Sequence, residues 1–184
     1  MKNLVNFVAF QVVWFAAVIG ASKGLWWPGP VAVVVFAIAH LSSPMRVRGD
    51  GLLIAVALLL GVIIDSVYAV SGVLSYAAPF PSTQVAPLWI LALWVGFALT
   101  LNHSLAYLAH RPLIATIAGA VVGPISYWSA GRAFDAVELG DPLWRSVFAL
   151  SFGWAGAMLV LSLVARRSVL FPPIGASTSA EKTA

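Results

Sequence analysis

The sequence predicts an all-α, polytopic membrane protein with six transmembrane helices and both termini in the cytoplasm. Composition indicates the class, because 61% of the 184 residues are hydrophobic and only 9% are charged, whereas soluble domains contain about 25% charged residues. The mean hydropathy is +0.98. Six apolar runs, each long enough to cross about 30 Å of hydrocarbon as a helix, give the number of spans.

The six runs follow one another with mostly short connections. They are Leu4 to Ala21, Leu25 to Ser43, Gly51 to Val70, Pro87 to Leu108, Pro112 to Ala130 and Leu143 to Ala165. Prolines lie at or near several predicted helix starts, where a missing N–H costs little: Pro28, Pro30, Pro87, Pro112 and Pro142. Pro124 lies inside the fifth run and predicts a kink or a break there.

The first run has some features of a secretory signal peptide, since Lys2 precedes an apolar stretch. Asn6 and Gln11 interrupt that stretch, and no convincing small-x-small cleavage site precedes Lys23. We therefore expect the first run to be a transmembrane helix.

Basic residues and tryptophans indicate the orientation. A cytoplasmic amino terminus places seven basic residues inside: Lys2, Arg46, Arg48, Arg111, Arg166, Arg167 and Lys182. It leaves only Lys23, Arg132 and Arg145 outside, as the positive-inside rule requires. Five tryptophans then fall at outer ends of spans, where indole rings favour the interface: Trp26, Trp27, Trp89, Trp128 and Trp144.

Residues 1–167 are therefore predicted to form a single six-helix transmembrane domain, and residues 168–184 a disordered cytoplasmic tail, since the tail is small and polar. The connection from Leu74 to Ala86 carries no charge. We expect it to lie against the membrane surface or over the mouth of the bundle, with an extended linker as the alternative. The connection from Gly131 to Asp141 is expected to be a solvated acidic turn.

Several classes of function are excluded by residues that the sequence lacks. The chain has no cysteine, which excludes disulfides, thiolate zinc sites and iron–sulfur clusters. It has no Walker loop and no H-E-x-x-H or G-x-S-x-G motif. The formal net charge is +4, but the basic residues form no stripe, so we expect no nucleic-acid partner.

Asp65 is the only acidic residue that interrupts a predicted span. A carboxylate within a membrane is costly and usually functional, so Asp65 is a candidate ligand-binding or switch residue. Gly61, Tyr68 and Gly72 share its helical face, and Tyr68 could donate a hydrogen bond to it. The alternative is a structural aspartate that holds helices together.

His40 and His103 precede Arg46 and Arg111 by six and eight residues, so both imidazoles are predicted at similar depth near the inner surface. That match permits axial ligation of a haem or a two-histidine metal site. Interhelical hydrogen bonding explains it as well and is favoured, so we expect no metal and no cofactor. Asn102 lies beside His103 in a dense polar cluster, which with His40 could form a polar site open to the cytoplasm.

Trp14, Trp94 and Trp154 lie near the middles of the first, fourth and sixth runs, away from the interface where tryptophan is usually enriched. A buried indole N–H needs an acceptor, and Gln11, one turn from Trp14, is a candidate. The three indoles could line an aromatic cavity for a lipid-like ligand. Bulky core packing is the favoured alternative.

Three segments carry a resemblance to a known family: Asn6 to Trp14, Gly61 to Asp65, and Leu101 to Ser104. Together they resemble an uncharacterised family of small bacterial inner-membrane proteins with a domain of unknown function. The resemblance implies a multi-pass protein of the bacterial inner membrane. Members look like proteins encoded near fatty-acid-modifying genes, which implies a lipid-related role by association.

The function predicted from these features is binding or movement of a small apolar or amphipathic, lipid-like molecule, with Asp65 as an ionisable switch. One alternative is a membrane-embedded enzyme, or an enzyme partner, that acts on lipid through His40, Asn102 and His103. Another is a purely structural subunit. Membrane lipid is the expected partner, with a second membrane protein as a further option.

Overall fold

The computed structural model describes residues 2–43, 47 and 49–168, with the backbone alone for Ser168. Within these residues the chain forms seven helices and two strands: α1 (Lys2–Ser22), α2 (Pro28–Leu41), α3 (Asp50–Val70), β1 (Leu74–Tyr76), α4 (Leu88–Leu101), α5 (Ala106–Ala109), α6 (Pro112–Phe134), β2 (Val137–Leu139) and α7 (Leu143–Ser168). Ser168, predicted to begin the tail, ends α7. The predicted tail from 169 onward, Arg46 and Arg48 lie outside the described residues.

Four of the described helices are long and apolar enough to cross a membrane, namely α1, α3, α6 and α7. The predicted second and fourth spans contain helices α2 and α4, which have 14 residues each and extend about 21 Å at 1.5 Å per residue. α4 ends at Leu101 because the polar residues that follow turn toward neighbouring helices, as Asn102 does toward Asp50. The structure thus establishes a mostly helical chain with four helices of membrane-spanning length.

The connecting segments meet at two opposite ends of the bundle. At one end, called the strand end, β1 pairs with β2, and Trp26 stacks on Phe80 with ring centroids 4.4 Å apart. At the other, called the histidine end, Ser104 Oγ donates to Asn6 Oδ1 at 2.7 Å, and the end of α2 meets the start of α3. Helices α1, α2, α3, α4, α6 and α7 each run between these two ends.

A two-stranded antiparallel sheet, which the all-α prediction does not include, joins two connections at the strand end. Leu74 lies opposite Leu139, and Tyr76 lies opposite Val137. Three-residue strands are too short to give a periodic signal in the sequence. The sheet fixes the α3–α4 connection across the bundle, where the Trp89 indole donates to the backbone carbonyl of the strand-flanking residue Ala77 at 2.9 Å.

Helix α6 continues through Pro124 without a break, because prolines within membrane helices are tolerated where neighbouring groups satisfy the freed backbone. Gly119 and Gly123, spaced as G-x-x-x-G, give α6 a face of small residues. A Cβ at either position would collide with α7, at Trp154 and Met158. These glycines therefore allow α6 and α7 to lie side by side.

The outward faces of the helices carry large apolar side chains. Val35, Leu59, Leu113 and Phe152 are 63, 60, 72 and 75% exposed. Contiguous apolar surface of this kind is rare on proteins surrounded by water, whereas hydrocarbon chains solvate it well. The exposed surface therefore agrees with the membrane location that the helix lengths indicate.

Candidate functional site

Asp65 lies at the centre of a buried hydrogen-bond cluster near the strand end, and its side chain is 0% exposed. The hydroxyls of Tyr76 and Tyr127 donate to Oδ1 at 2.7 and 2.5 Å. The Trp94 indole donates to Oδ2 at 2.7 Å. Three donors from β1, α6 and α4 thus converge on one carboxyl group of α3. Such partners offset the cost of burying a polar group.

Local structure brings these donors to Asp65. Gly61 lies one turn before Asp65 on α3, and the Trp94 ring occupies the space that a Cβ at Gly61 would take. The pairing of β1 with β2 holds Tyr76 opposite Val137. Burial, and after it the Asp65 carboxylate, raises the pKa of the Tyr76 hydroxyl well above its usual value, so this hydroxyl stays protonated and can donate.

Tyr68 does not make the contact that the sequence suggested. Its hydroxyl donates to the Ala149 carbonyl oxygen at 2.9 Å and not to Asp65. The reason is that Gly153 on α7 has no side chain, so the Tyr68 hydroxyl can lie directly against this glycine. Tyr68 therefore connects α3 to α7, while the donors to Asp65 come from other elements.

Beside the Asp65 cluster the bundle contains a cavity of about 450 Å³, within the range of about 300–1,000 Å³ for small-molecule sites. Residues of α1, α4, α6 and α7 line it, and most are aromatic or aliphatic. Trp94 and Tyr127 form part of its wall, so Asp65 lies directly behind that wall. Phe15 and Val122 also line it and are 47 and 60% exposed. The cavity therefore opens on the outer surface between α1 and α6.

All three mid-span tryptophans line this cavity. Trp94 and Trp154 are stacked, with centroids 4.7 Å apart and an interplanar angle of 7°. The Trp14 indole donates to Ser126 Oγ at 3.3 Å on the facing helix α6, and not to Gln11 as expected. The Gln11 amide makes no hydrogen bond to another described residue. Trp154 Nε1 is buried and lies near the Tyr127 hydroxyl, but it meets no acceptor in hydrogen-bond geometry among the described residues.

His40 and His103, predicted at similar depth, meet at the histidine end. Their Nε2 atoms are 2.9 Å apart, and the residues are only 5 and 8% exposed. Asp50 Oδ2 lies 3.3 Å from each of these nitrogens. Three groups from α2, α3 and the α4–α5 turn thus face a common point, with their ligand atoms within 4.8 Å of one another.

Asn102 belongs to the same cluster, because its amide nitrogen donates to Asp50 Oδ1 at 2.9 Å. The backbone N–H of Val47 donates to Asp50 Oδ2 at 2.8 Å. The end of α4 at Leu101 allows Asn102 and the following histidine to turn toward α2 and α3. Two imidazoles and a carboxylate in this arrangement can share a proton or bind a divalent transition metal.

Sequence reasoning missed Asp50, which directly precedes the predicted third span. Asp50 is the first residue of α3 and is 1% exposed, so Asp65 is not the only buried acid. Its depth in the membrane could have identified it, because Asp50 begins the third span at the same end of the bundle where His40 and His103 are predicted to lie. Tyr76 and Tyr127 were also missed, because their approach to Asp65 depends on contacts distant in sequence.

The family follows from the match of one protein-family model to residues 3–160. That model is described as a protein of unknown function, DUF2878. The chain belongs to this family. The match confirms the resemblance to a family of unknown function, and it covers both the Asp65 cluster and the cluster at the histidine end. No curated protein and no solved structure matches the chain.

Proposed function

We propose that this protein is a six-span protein of the bacterial inner membrane that binds or moves a small apolar or amphipathic, lipid-like molecule. The observation that carries the proposal is the aromatic cavity of about 450 Å³ that opens on the outer surface between α1 and α6. Small-molecule sites are typically cavities of this size with mostly apolar walls and a few polar groups.

The position of the opening favours a ligand that arrives from the membrane. Phe15 on α1 and Val122 on α6 stand at the opening and are partly exposed on the apolar outer surface. A molecule dissolved in the hydrocarbon could enter sideways between these helices without crossing water. A polar metabolite would have to leave water to reach the same opening, which is costly.

The few polar groups in the lining favour an amphipathic ligand over a pure hydrocarbon. The Gln11 amide belongs to a lining residue and makes no hydrogen bond to another described residue, and the Trp154 indole N–H, also in the lining, lies near the Tyr127 hydroxyl without meeting an acceptor in hydrogen-bond geometry. A buried donor without an acceptor is unfavourable. A carboxyl, ester or hydroxyl oxygen on the ligand would supply that acceptor.

Asp65 is proposed to act on the cavity through its wall. Trp94 and Tyr127 donate to its two carboxyl oxygens and at the same time line the cavity. A change in the protonation of Asp65 would replace an acceptor with a donor on one oxygen, so these side chains would have to rearrange. This is how a buried acid could serve as a switch for binding without touching the ligand.

The proposed topology rests on the helix directions and on charge. Six helices run between the strand end and the histidine end, so the two 14-residue helices α2 and α4 are proposed to cross together with their flanking turns. The excess of basic residues in the segments that the sequence analysis assigns to the side of the amino terminus favours cytoplasmic termini. The inner-membrane and bacterial assignments follow the family resemblance.

Photo-crosslinking with a diazirine-labelled fatty acid tests the proposal on the full chain in detergent or nanodiscs. The variant Leu93→Trp should obstruct the cavity, because Leu93 is part of its lining and the larger ring would project into it. Leu59→Trp is the matched control, since Leu59 is 60% exposed on α3 and does not line the cavity. Labelled peptides are then mapped by mass spectrometry.

Wild type and Leu59→Trp should give saturable labelling of peptides from α1 and α6 that unlabelled fatty acid competes away. Leu93→Trp should lose that saturable labelling and keep only background. Labelling that does not saturate, or that is equal in all three proteins, would show that the fatty acid contacts the outer surface alone and would refute the cavity as its site.

A second candidate is a membrane-embedded enzyme that acts on lipid, favoured by the convergence of His40, Asn102 and His103 with Asp50 at one point. Lipid analysis of membranes that contain wild type or His103→Ala tests it. An enzyme predicts a lipid species that accumulates or disappears with this variant, whereas identical lipid profiles would contradict it.

A further inference from the structure

The hydrogen-bond arrangement of the histidine end is incomplete as it stands. The two Nε2 atoms are 2.9 Å apart, so one must donate to the other if both imidazoles are neutral. Asp50 Oδ2, 3.3 Å from both, then faces a nitrogen lone pair of the accepting ring with no hydrogen between them. A positive charge at the shared point would remove this mismatch.

The distances in this triangle match those between the ligands of one metal ion. Zinc–nitrogen bonds of about 2.0–2.1 Å in a tetrahedral site place neighbouring ligand atoms roughly 3.3 Å apart. The three separations at the histidine end are 2.9, 3.3 and 3.3 Å. Two imidazoles and one carboxylate are also the ligand set of several sites with three protein ligands and an open position.

The surroundings of Asp50 resemble the outer shell that orients metal ligands. Asn102 donates to Oδ1 at 2.9 Å and the Val47 backbone N–H donates to Oδ2 at 2.8 Å, while Oδ2 also lies 3.3 Å from both imidazoles. Ligating carboxylates are commonly fixed in this way by hydrogen bonds from neighbouring residues. All three candidate ligands are buried, so their geometry is set by the fold.

We propose that His40, Asp50 and His103 bind one divalent transition metal ion such as Zn²⁺, with Asn102 as a positioning residue for Asp50. The site lies at the histidine end and does not depend on ligand binding in the aromatic cavity. Two of its ligands come from the end of α2 and the start of α3, and the third comes from the α4–α5 turn, 53 residues after Asp50. The ion would therefore join the α2–α3 connection to a distant part of the chain.

The same distances argue against haem held by these two histidines. Axial ligands lie on opposite faces of the porphyrin, so metal–nitrogen bonds of about 2.0 Å would separate the two nitrogens by about 4 Å. The observed separation is 2.9 Å, with the ring planes at 77° and their centroids 4.2 Å apart. A shared small ion fits between these groups, whereas a macrocycle does not.

Metal content and metal affinity of the purified full chain test the proposal, with an affinity tag that contains no histidine. Zn²⁺ is counted by elemental mass spectrometry after dialysis, and Co²⁺ is titrated while its visible absorption bands are followed. The variants are His103→Ala and His40→Gln. His110→Ala is the matched control, because His110 is the third histidine of the chain and is exposed beside α5.

Wild type and His110→Ala should each bind about one Zn²⁺ per chain and show the same Co²⁺ bands. His103→Ala and His40→Gln should lose the bands and bind at least about 100-fold more weakly, while Asn102→Ala should lose about 10–100-fold, as removal of an outer-shell partner does. Absence of stoichiometric Zn²⁺ binding by wild type would overturn the proposal and assign the cluster to proton sharing. A loss of Zn²⁺ affinity in His110→Ala as large as that in His103→Ala would overturn the proposal in favour of binding at the surface. Wild type and His110→Ala decide the question even if the other variants fail to fold.

Discussion

Two buried carboxyl groups at opposite ends of one helix face different partners. Asp65 receives hydrogen bonds from two phenols and an indole, all of them uncharged donors. Asp50, at the start of the same helix, faces two imidazoles and an amide. The first arrangement organises the wall of an apolar cavity, whereas the second can hold a positive charge.

Replacement of Asp65 by asparagine should destabilise the protein. An amide offers one acceptor oxygen where the carboxylate offers two, so either the Trp94 indole or the two tyrosine hydroxyls lose their acceptor. A buried donor left without an acceptor costs about 1–3 kcal/mol. The loss should appear as a lower free energy of unfolding of the detergent-solubilised protein in a denaturant titration.

Asp135→Asn is the control for that substitution. Asp135 is exposed and has a φ of 57° after α6, a conformation that asparagine adopts readily, so the change should stay within about 0.5 kcal/mol. If Asp65→Asn unfolded like wild type, the three hydrogen bonds could not be holding the cluster together.

The sequence identified Asp65, His40, Asn102 and His103 because polar residues within apolar runs are conspicuous. It could not identify the partners of Asp65, since Tyr76 lies in a connection and Tyr127 in a span, and nothing in the local sequence distinguishes either tyrosine. Their approach to Asp65 joins positions 11 and 62 residues away. Asp50 was overlooked because an acid at the edge of a run does not reveal whether it points inward.

At the scale of elements, helix α3 depends on a close crossing with α4. The Trp94 ring lies against Gly61, and this contact brings the indole N–H within 2.7 Å of Asp65 Oδ2. The periodicity of the sequence indicated that Gly61 and Asp65 share a face, but it did not identify the helix that packs there. The missing information was the packing partner, which only the tertiary fold determines.

Gly61→Ala should therefore destabilise the protein by about 1–3 kcal/mol, the usual cost of forcing extra volume into a packed core. The added Cβ would displace Trp94 and lengthen its hydrogen bond to Asp65. Tryptophan fluorescence and denaturant titration would both report the change. An unchanged unfolding curve would contradict the proposed crossing.

Gly51→Ala provides a control within the same helix. A Cβ at Gly51 would meet no atom of the described residues within 4 Å, and alanine is the better helix former by up to about 1 kcal/mol. We expect this variant to be as stable as wild type or slightly more stable. The contrast between the two glycines separates crowding from helix propensity.

The strand pair is the element that sequence reasoning could least anticipate. Each strand has three residues, and the two lie in connections separated by three helices. Neither segment has enough alternation to predict a strand alone. The helices were predictable because each apolar run is long. Helices α2 and α4 are nevertheless shorter than the predicted spans, because turns and polar residues at their ends form contacts outside the helix.

On the scale of the whole molecule, the proposed topology predicts which connections face the cytoplasm. Reporter fusions at Arg48, Arg111 and Arg167 should read cytoplasmic, and fusions at Tyr76 and Glu138 should read periplasmic, because basic residues concentrate at the histidine end. Tyr76 and Glu138 both lie in the paired strands, so their reporters must agree with each other. A cytoplasmic signal at Tyr76 would reverse the orientation.

Native mass spectrometry of the protein, extracted gently from its own membrane, is the decisive measurement of whether the aromatic cavity of this bundle holds a lipid-like molecule. We expect wild type to carry one bound lipid-like molecule per chain, which fragmentation would identify, and we expect Leu59→Trp to carry the same molecule. Leu93→Trp should appear without it, because the larger side chain occupies the cavity. A wild-type protein that carries no such molecule, or a Leu93→Trp protein that retains it fully, would show that the cavity is not a lipid-binding site.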